Sequence, residues 1–405
     1  MKPSPKNVRI LIALTLIGAV FALLSPAART NIRLRAESDL FAIPDFTVPA
    51  SAIGWFGLLV EAVLLVLAIL NYRRGRKDPR WMLLVFGFVF LLQALVFLYA
   101  GKTLTLTALL AGSLALAVPL IFGSLAGAMS ERSGVVNIAI EGQLLAGAFT
   151  SALVASITNS VWLGLLAASV AGAIVAWILA VFAIKYVVDQ IIVGVVLNVL
   201  VVGLTNFLFS TLMNDLSFNS PPRFDTFSIP LLSQIPVLGP VLFNQTPIVY
   251  LMYVAVAVVW VALFKTRWGL RVRAVGEYPK AADTVGIKVF RTRYISVVIG
   301  GALAGLGGAF FTLGQVGAFG KEMTNGAGYI ALAALIFGRW NPLYAAVAAL
   351  LFGFSENLQF GLAIIGSSVP SEFLLMLPYV LTVVAVAGFV GRVMAPAADG
   401  KPYLK

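Results

Sequence analysis

Apolar runs of roughly twenty residues recur along the chain, separated by short polar segments. The first begins at Ile10, behind Lys2, Lys6 and Arg9, and reaches Leu24. It reads as a first membrane span or as a signal peptide with Ser25-Pro26-Ala27-Ala28 as a loose cleavage site. Further runs cover 51–72, 81–100, 103–128, 135–157, 161–184, 190–212, 247–264, 294–313, 343–361 and 372–390. Runs of this length suit helices crossing a hydrocarbon layer about 30 Å thick. The stretch 329–338 is too short to cross alone and borrows 325–328 for length. Continuous apolar runs, rather than alternating ones, argue against a membrane β-barrel. The pattern therefore predicts an all-α polytopic membrane protein with about twelve crossings.

The polar segments orient these spans. Arg73-Arg74-Gly75-Arg76-Lys77-Asp78-Pro79-Arg80 holds five cations in eight residues. With both termini inside, 22 of the 28 Lys/Arg fall on the inner side, and positions 29, 33, 35, 102, 223 and 321 fall outside. That asymmetry is the positive-inside pattern. Its weak point is the cluster Arg29, Arg33 and Arg35, which balances the cations ahead of the first span.

Composition narrows the chemistry. Charged residues make up 11% of the chain, against about 25% in soluble domains. Cysteine and histidine are absent, which removes disulfides, Cys/His metal sites, thiol nucleophiles and histidine proton relays. The net charge of +12 follows from the inner loops and calls for no nucleic acid. A nucleotide-binding loop of the G-x-x-x-x-G-K-[ST] type is also missing. The nearest match, Gly314 to Glu322, is one residue too long and has Glu322 where a hydroxyl should bind the metal. The chain is not itself an ATPase, and no cofactor or metal site is expected in it.

Ionisable residues inside spans are candidates for function. Three stand out: Glu61, Glu141 and Glu356. Glu61 reads as a helix-packing acid. Asn137 and Glu141, four apart, would share one helix face opening after the break Ser130-Glu131-Arg132-Ser133-Gly134, so that a helix N-terminus lies at membrane depth. Glu141 could equally brace a neighbouring helix. Glu356 and Asn357 form a second polar cluster, and Asn198, Asn206 and Gln315 are weaker candidates for lining a path. Gly123-x3-Gly127 and Gly301-x3-Gly305 predict close helix approach.

The segment 265–293 differs from everything around it. Eight Lys/Arg and two acids in 29 residues give it half of the chain's net charge. Pro279 suits a first helical turn, Lys280 to Val285 can make about two turns, and Gly286 supplies a stop. Ala281, Ala282 and Val285 would then form a small apolar face flanked by cations, shaped for another protein's groove.

Arg273-Ala274-Val275-Gly276-Glu277-x-Pro279-x-Ala281-Ala282-x-x-x-Gly286-Ile287 resembles the coupling loop of ABC-importer permeases of the ribose, branched-chain amino acid and nucleoside superfamily. Ser130-Glu131-Arg132-Ser133-Gly134-Val135-Val136-Asn137-Ile138-x-x-Glu141-Gly142, Ile336-Phe337-Gly338-Arg339-Trp340-Asn341-Pro342 and Gly400-Lys401-Pro402-Tyr403 are similar to the second permease of purine-nucleoside-type ("simple sugar") importers. The likeness covers roughly 102–405. It implies a permease core of about ten helices in 81–405, with 265–293 as its cytoplasmic coupling loop and 1–80 as an N-terminal hairpin extension. It further implies a prokaryotic plasma-membrane location, a homologous second permease, a separate ATPase that binds ATP and Mg, and an external substrate-binding lipoprotein. Gly276, Glu277, Pro279, Ala281, Ala282 and Gly286 match the coupling positions. Two alternatives remain: a simple-sugar permease, or an ion-coupled secondary transporter using Glu141 and Glu356.

Overall fold

The computed structural model describes residues 5–34, 43–213, 216–366, 376 and 394–404. The expected span 372–390 falls, Met376 apart, outside them. In chain order the first elements are α1 (Pro5–Leu24), β1 (Arg29–Arg33), β2 (Phe46–Pro49), α2 (Ala50–Arg73), α3 (Arg80–Leu98) and β3 (Thr103–Thr105). There follow α4 (Leu106–Glu131), α5 (Ile140–Thr158), α6 (Val161–Ala180), α7 (Gln190–Leu212), β4 (Phe227–Ser228), α8 (Leu238–Leu242) and β5 (Asn244–Gln245). The last are α9 (Pro247–Lys265), α10 (Arg267–Glu277), α11 (Pro279–Thr284), α12 (Val289–Ala309), α13 (Ala327–Phe337) and α14 (Pro342–Ile364). Among the described residues, nine helices are long and apolar enough to cross a membrane.

Contacts divide the chain into two compact units. The first comprises Met1–Ala111, Ile229–Phe243 and Glu356–Gly391. In it α1, α2 and α3 pack together around the Gln93 amide, whose Nε2 donates to Gly18 O at 2.8 Å and Gly54 O at 2.9 Å. Glu61 is fully buried there, beside Gly18 and Gln93, in keeping with a packing role. The segment after α1, read from sequence only as an external connection, forms a small sheet in the order β2-β1-β3. Arg33 Nε pairs with Asp45 Oδ2 at 3.2 Å, so an outside cation is locally neutralised.

The second unit comprises Gly112–Ser228, Asn244–Ser355 and Arg392–Lys405. Its centre is α12, held between α5 and α6 by glycine contacts. A Cβ on Gly305 would lie 2.0 Å from Ala168 O, and one on Gly301 would lie 2.4 Å from Gly172 O. On the α5 side, a Cβ on Gly147 would lie 2.4 Å from Gly305 O. Backbones this close need small residues, as the Gly301-x3-Gly305 pattern predicts. Gly123-x3-Gly127 does the same for α4 against α13, meeting Ala331 and then Leu335 one turn on. On α7, buried Val193, Leu197 and Val201 alternate with exposed Ile192, Val196 and Val199. A helix apolar on every face is suited to lipid.

Three boundaries depart from the sequence reading. The break after α4 runs from 132 to 139, so α5 begins at Ile140 rather than 135. The basic segment forms two helices, α10 and α11, not one, and α12 starts at Val289 and continues through a wider π-helical turn, Phe310–Val316. Finally, α13 has 11 residues, about 16 Å at 1.5 Å per residue, and spans only half a bilayer.

Candidate functional site

Two helix N-termini meet at Glu141. Its carboxylate accepts from Thr324 Oγ1 at 2.7 Å, Gly326 N at 2.9 Å and Gly328 N at 2.6 Å. Gly326 (φ 84°) caps α13 and Gly328 is in its first turn, so the acid closes the free N–H groups of that half-helix. A Cβ on Gly328 would lie 2.4 Å from Glu141 N, which is why the approach needs glycine. Asn198 of α7 completes the junction. It accepts from Gly142 N at 2.8 Å and donates to Ile138 O at 2.9 Å and Tyr329 Oη at 3.2 Å. One buried asparagine thus bonds to the start of α5 and to α13. A half-helix with its N-terminus buried among other helices, as α13 has here, is a recurring device at transport sites.

Asn137 does not share a helix face with Glu141, because it precedes α5 in the break. Gly134 (φ 88°) turns the chain, and the Asn137 amide pairs reciprocally with Gln143, at 3.1 and 3.0 Å. Asn137 thereby ties the break to the first turn of α5. Glu141 is the helix brace that the sequence left open. Gln315 lies at the end of the wide turn, where its carbonyl accepts from Arg223 Nη1 at 3.3 Å, and Asn206 donates to Glu322 at 3.1 Å. Glu356 and Asn357 belong to the other compact unit, where Asn357 Nδ2 donates to Leu109 O at 2.7 Å.

At the far end of the 132–139 break, four separate sequence motifs converge. Trp340 Nε1 donates to Glu131 Oε2 at 2.5 Å, while Arg132 donates to the carbonyls of Trp340 and Arg339 at 3.0 and 3.1 Å. Arg132 also lies over the Phe264 ring, 5.4 Å from its centroid, and its backbone touches Gly276. A Cβ there would be 2.2 Å from Arg132 O, so Gly276 is a packing glycine. Arg293, 1% exposed, donates from Nε to Ser133 O and from Nη1 to Lys401 O, both at 3.2 Å. Ala398 N donates to Gly276 O at 2.8 Å. The contacts therefore tie the α4–α5 break, the basic segment, the turn after α13 and the C-terminal segment into one node.

A family model described as "Branched-chain amino acid transport system / permease component" matches residues 109–386. The chain belongs to this permease family. It is 43% identical over 314 residues to the guanosine ABC transporter permease protein NupQ of Bacillus subtilis, covering 74% of this chain and 97% of the relative. The nucleoside ABC transporter permease protein NupC of Lactococcus lactis is 40% identical, over 74% of this chain and 98% of its own length. A putative glucose ABC transporter permease protein of Haloferax volcanii, TsgC13, is 36% identical over 60% of this chain and 74% of its own. No solved structure matches. The permease is thus a multi-pass component of an ABC transport system in the prokaryotic plasma membrane.

In the permease, Thr266 ends α9 and starts α10, accepting from Gly269 N at 3.0 Å. Pro279 is the first residue of α11, and Gly286 (φ 84°) lies just beyond it, as the sequence predicted. The expected apolar face is corrected. Ala281 is exposed and Val285 is 74% exposed, but Ala282, 4% exposed, turns inward onto Val275, Val289 and Tyr403. Ala282 lies about 100° round the helix from Ala281, which brings it onto the side turned toward Val275 and Tyr403. Glu277 accepts from Ala397 N at 3.3 Å. Beside α11, a cavity of about 490 Å³ is lined by Trp268, Arg271, Val285, Gly286, Lys288 and Arg291, among others. Tyr329, Arg293 and Trp340 were missed as single residues. For Arg293 a signal existed: it is a cation within reach of an apolar run, which demands a partner.

Proposed function

We propose that the permease forms, with a homologous second permease, the translocation path of an ATP-driven importer of nucleosides. A separate ATPase binds α11, and an external lipoprotein delivers the substrate. The observation that carries the substrate class is likeness over 74% of this chain to two relatives named for guanosine and nucleoside transport, at 43% and 40% identity. The glucose-named relative matches less of this chain, so a simple sugar is the second reading.

The geometry supports the docking assignment. Tyr278, Ala281 and Val285 stand exposed on α11 and just before and after it, next to a cavity rimmed by Arg271, Lys288 and Arg291. That surface suits an ATPase groove with an apolar floor and acidic edges. The ATPase holds ATP and Mg. Within the membrane, the junction of α5, α7 and α13 supports a path beside Asn198 and Tyr329, with Glu141 fixing the half-helix. Because its carboxylate already accepts three hydrogen bonds, Glu141 suits a fixed brace better than a proton carrier.

The substrate reading is tested by the ligand of the cognate lipoprotein and by uptake competition. Guanosine or inosine should bind it and block uptake of a labelled nucleoside, whereas glucose should do neither. Binding of glucose alone would overturn the nucleoside assignment in favour of the sugar reading.

A further inference from the structure

The C-terminal segment is bound into the node by both backbone and side chains. Ala397 N and Ala398 N donate to the Glu277 carboxylate and to Gly276 O at the end of α10. Gly400 (φ 72°) turns the segment beside Val136 of the α4–α5 break. Lys401 O accepts from buried Arg293, which also grips Ser133 O of that break. Tyr403 then enters an apolar cluster with Val275 of α10, Ala282 of α11 and Val289 of α12, and its ring lies 5.4 Å from that of Phe290. Its hydroxyl is hydrogen-bonded to Asp283 of α11.

α11 itself is six residues long and exposes most of its surface. A helix this short has almost no intrinsic stability. Its inward anchor is Ala282, and the side chain covering Ala282 from outside the basic segment is Tyr403. A push on α11 therefore reaches Tyr403 directly. From there the chain of contacts runs through Lys401 and Arg293 to Ser133, and along the break to the Asn137–Gln143 pair at the start of α5. The break has no continuous helical ladder: single-turn bonds such as Arg132 N to Ala128 O and side-chain bonds from Gln190 and Asn198 hold it, so it can shift as a connected piece between α4 and α5.

We propose that residues 396–403 form a strap that carries displacement of α11 to the α4–α5 break, with Tyr403 as its anchor and Arg293 as the positioning residue. The strap transmits ATPase closure to the half-helix junction at Glu141. This inference rests on the reading of the permease as ATP-driven, with α11 as the ATPase contact.

The test uses the complete transporter, copurified and reconstituted in liposomes, and measures uptake per ATP hydrolysed together with the amount of ATPase that copurifies. Tyr403→Ala should retain the copurifying ATPase while uptake per ATP falls roughly tenfold, within the range of typical coupling energies. Tyr403→Phe, which keeps the ring and loses only the Asp283 bond, should fall between that variant and the parent. Arg293→Lys, which keeps the charge but cannot span Ser133 O and Lys401 O with a planar fork, should also uncouple. If the strap only stabilises the fold, each variant would lower the yield of complex but leave uptake per ATP at the parent value, and that result would overturn the proposal. Failure of the parent complex to show any ATP-dependent uptake would instead refute the function on which it rests.

Discussion

At the scale of single residues, Glu141 carries the sharpest expectation. Replacing it with alanine strands the N–H groups of Gly326 and Gly328, at about 1–3 kcal/mol for each unpaired buried donor. Glu141→Ala should lower the thermal transition of the detergent-solubilised protein and abolish uptake. Glu141→Gln, which still accepts from one side, should lose less of both. Asp399 gives a pH-dependent test. Burial pushes its carboxyl up to about 7 from 3.8, against the opposing pulls of the Gly400 backbone hydrogen bond and of Arg293, and Glu131 is a second acid nearby. The folded state then holds a proton that the unfolded chain has released, so stability should fall as pH rises from about 4 to about 7. Above that range the loss is complete. Asp399→Asn should remove this component, measured as the slope of thermal stability against pH; an unchanged slope would assign it to another group.

Helices and loops raise a different question, which is what faces outward. Ala281→Asp and Val285→Asp place charges on exposed positions and should block ATPase copurification while leaving the melting temperature near the parent's. Ala282→Asp buries an unpaired charge against Val275, Val289 and Tyr403, so it should instead reduce folded protein. Equal behaviour of the three variants would contradict the assignment of faces. Gly305→Leu should prevent folding, since even a Cβ would lie 2.0 Å from Ala168 O. These contrasts show what the sequence made legible. Span length, glycine spacing and the Pro279–Gly286 signals are local properties, and among the described residues the corresponding helices form there, with the starts of α5 and α12 displaced by five residues. The start of α5 was misjudged because 135–139 is as apolar as a helix, and only Gly134 and the Asn137–Gln143 pair reveal the break. Partnerships between motifs far apart in sequence, such as Glu131 with Trp340 or Arg293 with Lys401, left no periodic trace.

For the whole molecule, four motifs spread over 131–403 meet at one node, while the break at 132–139 connects that node to the junction of α5, α7 and α13. The arrangement lets a basic loop do two things. Its cations match the inner side of the spans, and its least charged part, from Gly276 to Gly286, is the contact proposed above for the ATPase. Family membership sets aside the ion-coupled alternative, and the three hydrogen bonds on Glu141 agree with that. The energy source is also the most direct test. Uptake of labelled guanosine should be measured in cells whose proton gradient is collapsed and, separately, in cells depleted of ATP with the gradient kept. The account predicts that uptake survives the first treatment and stops in the second; the reverse pattern would contradict it.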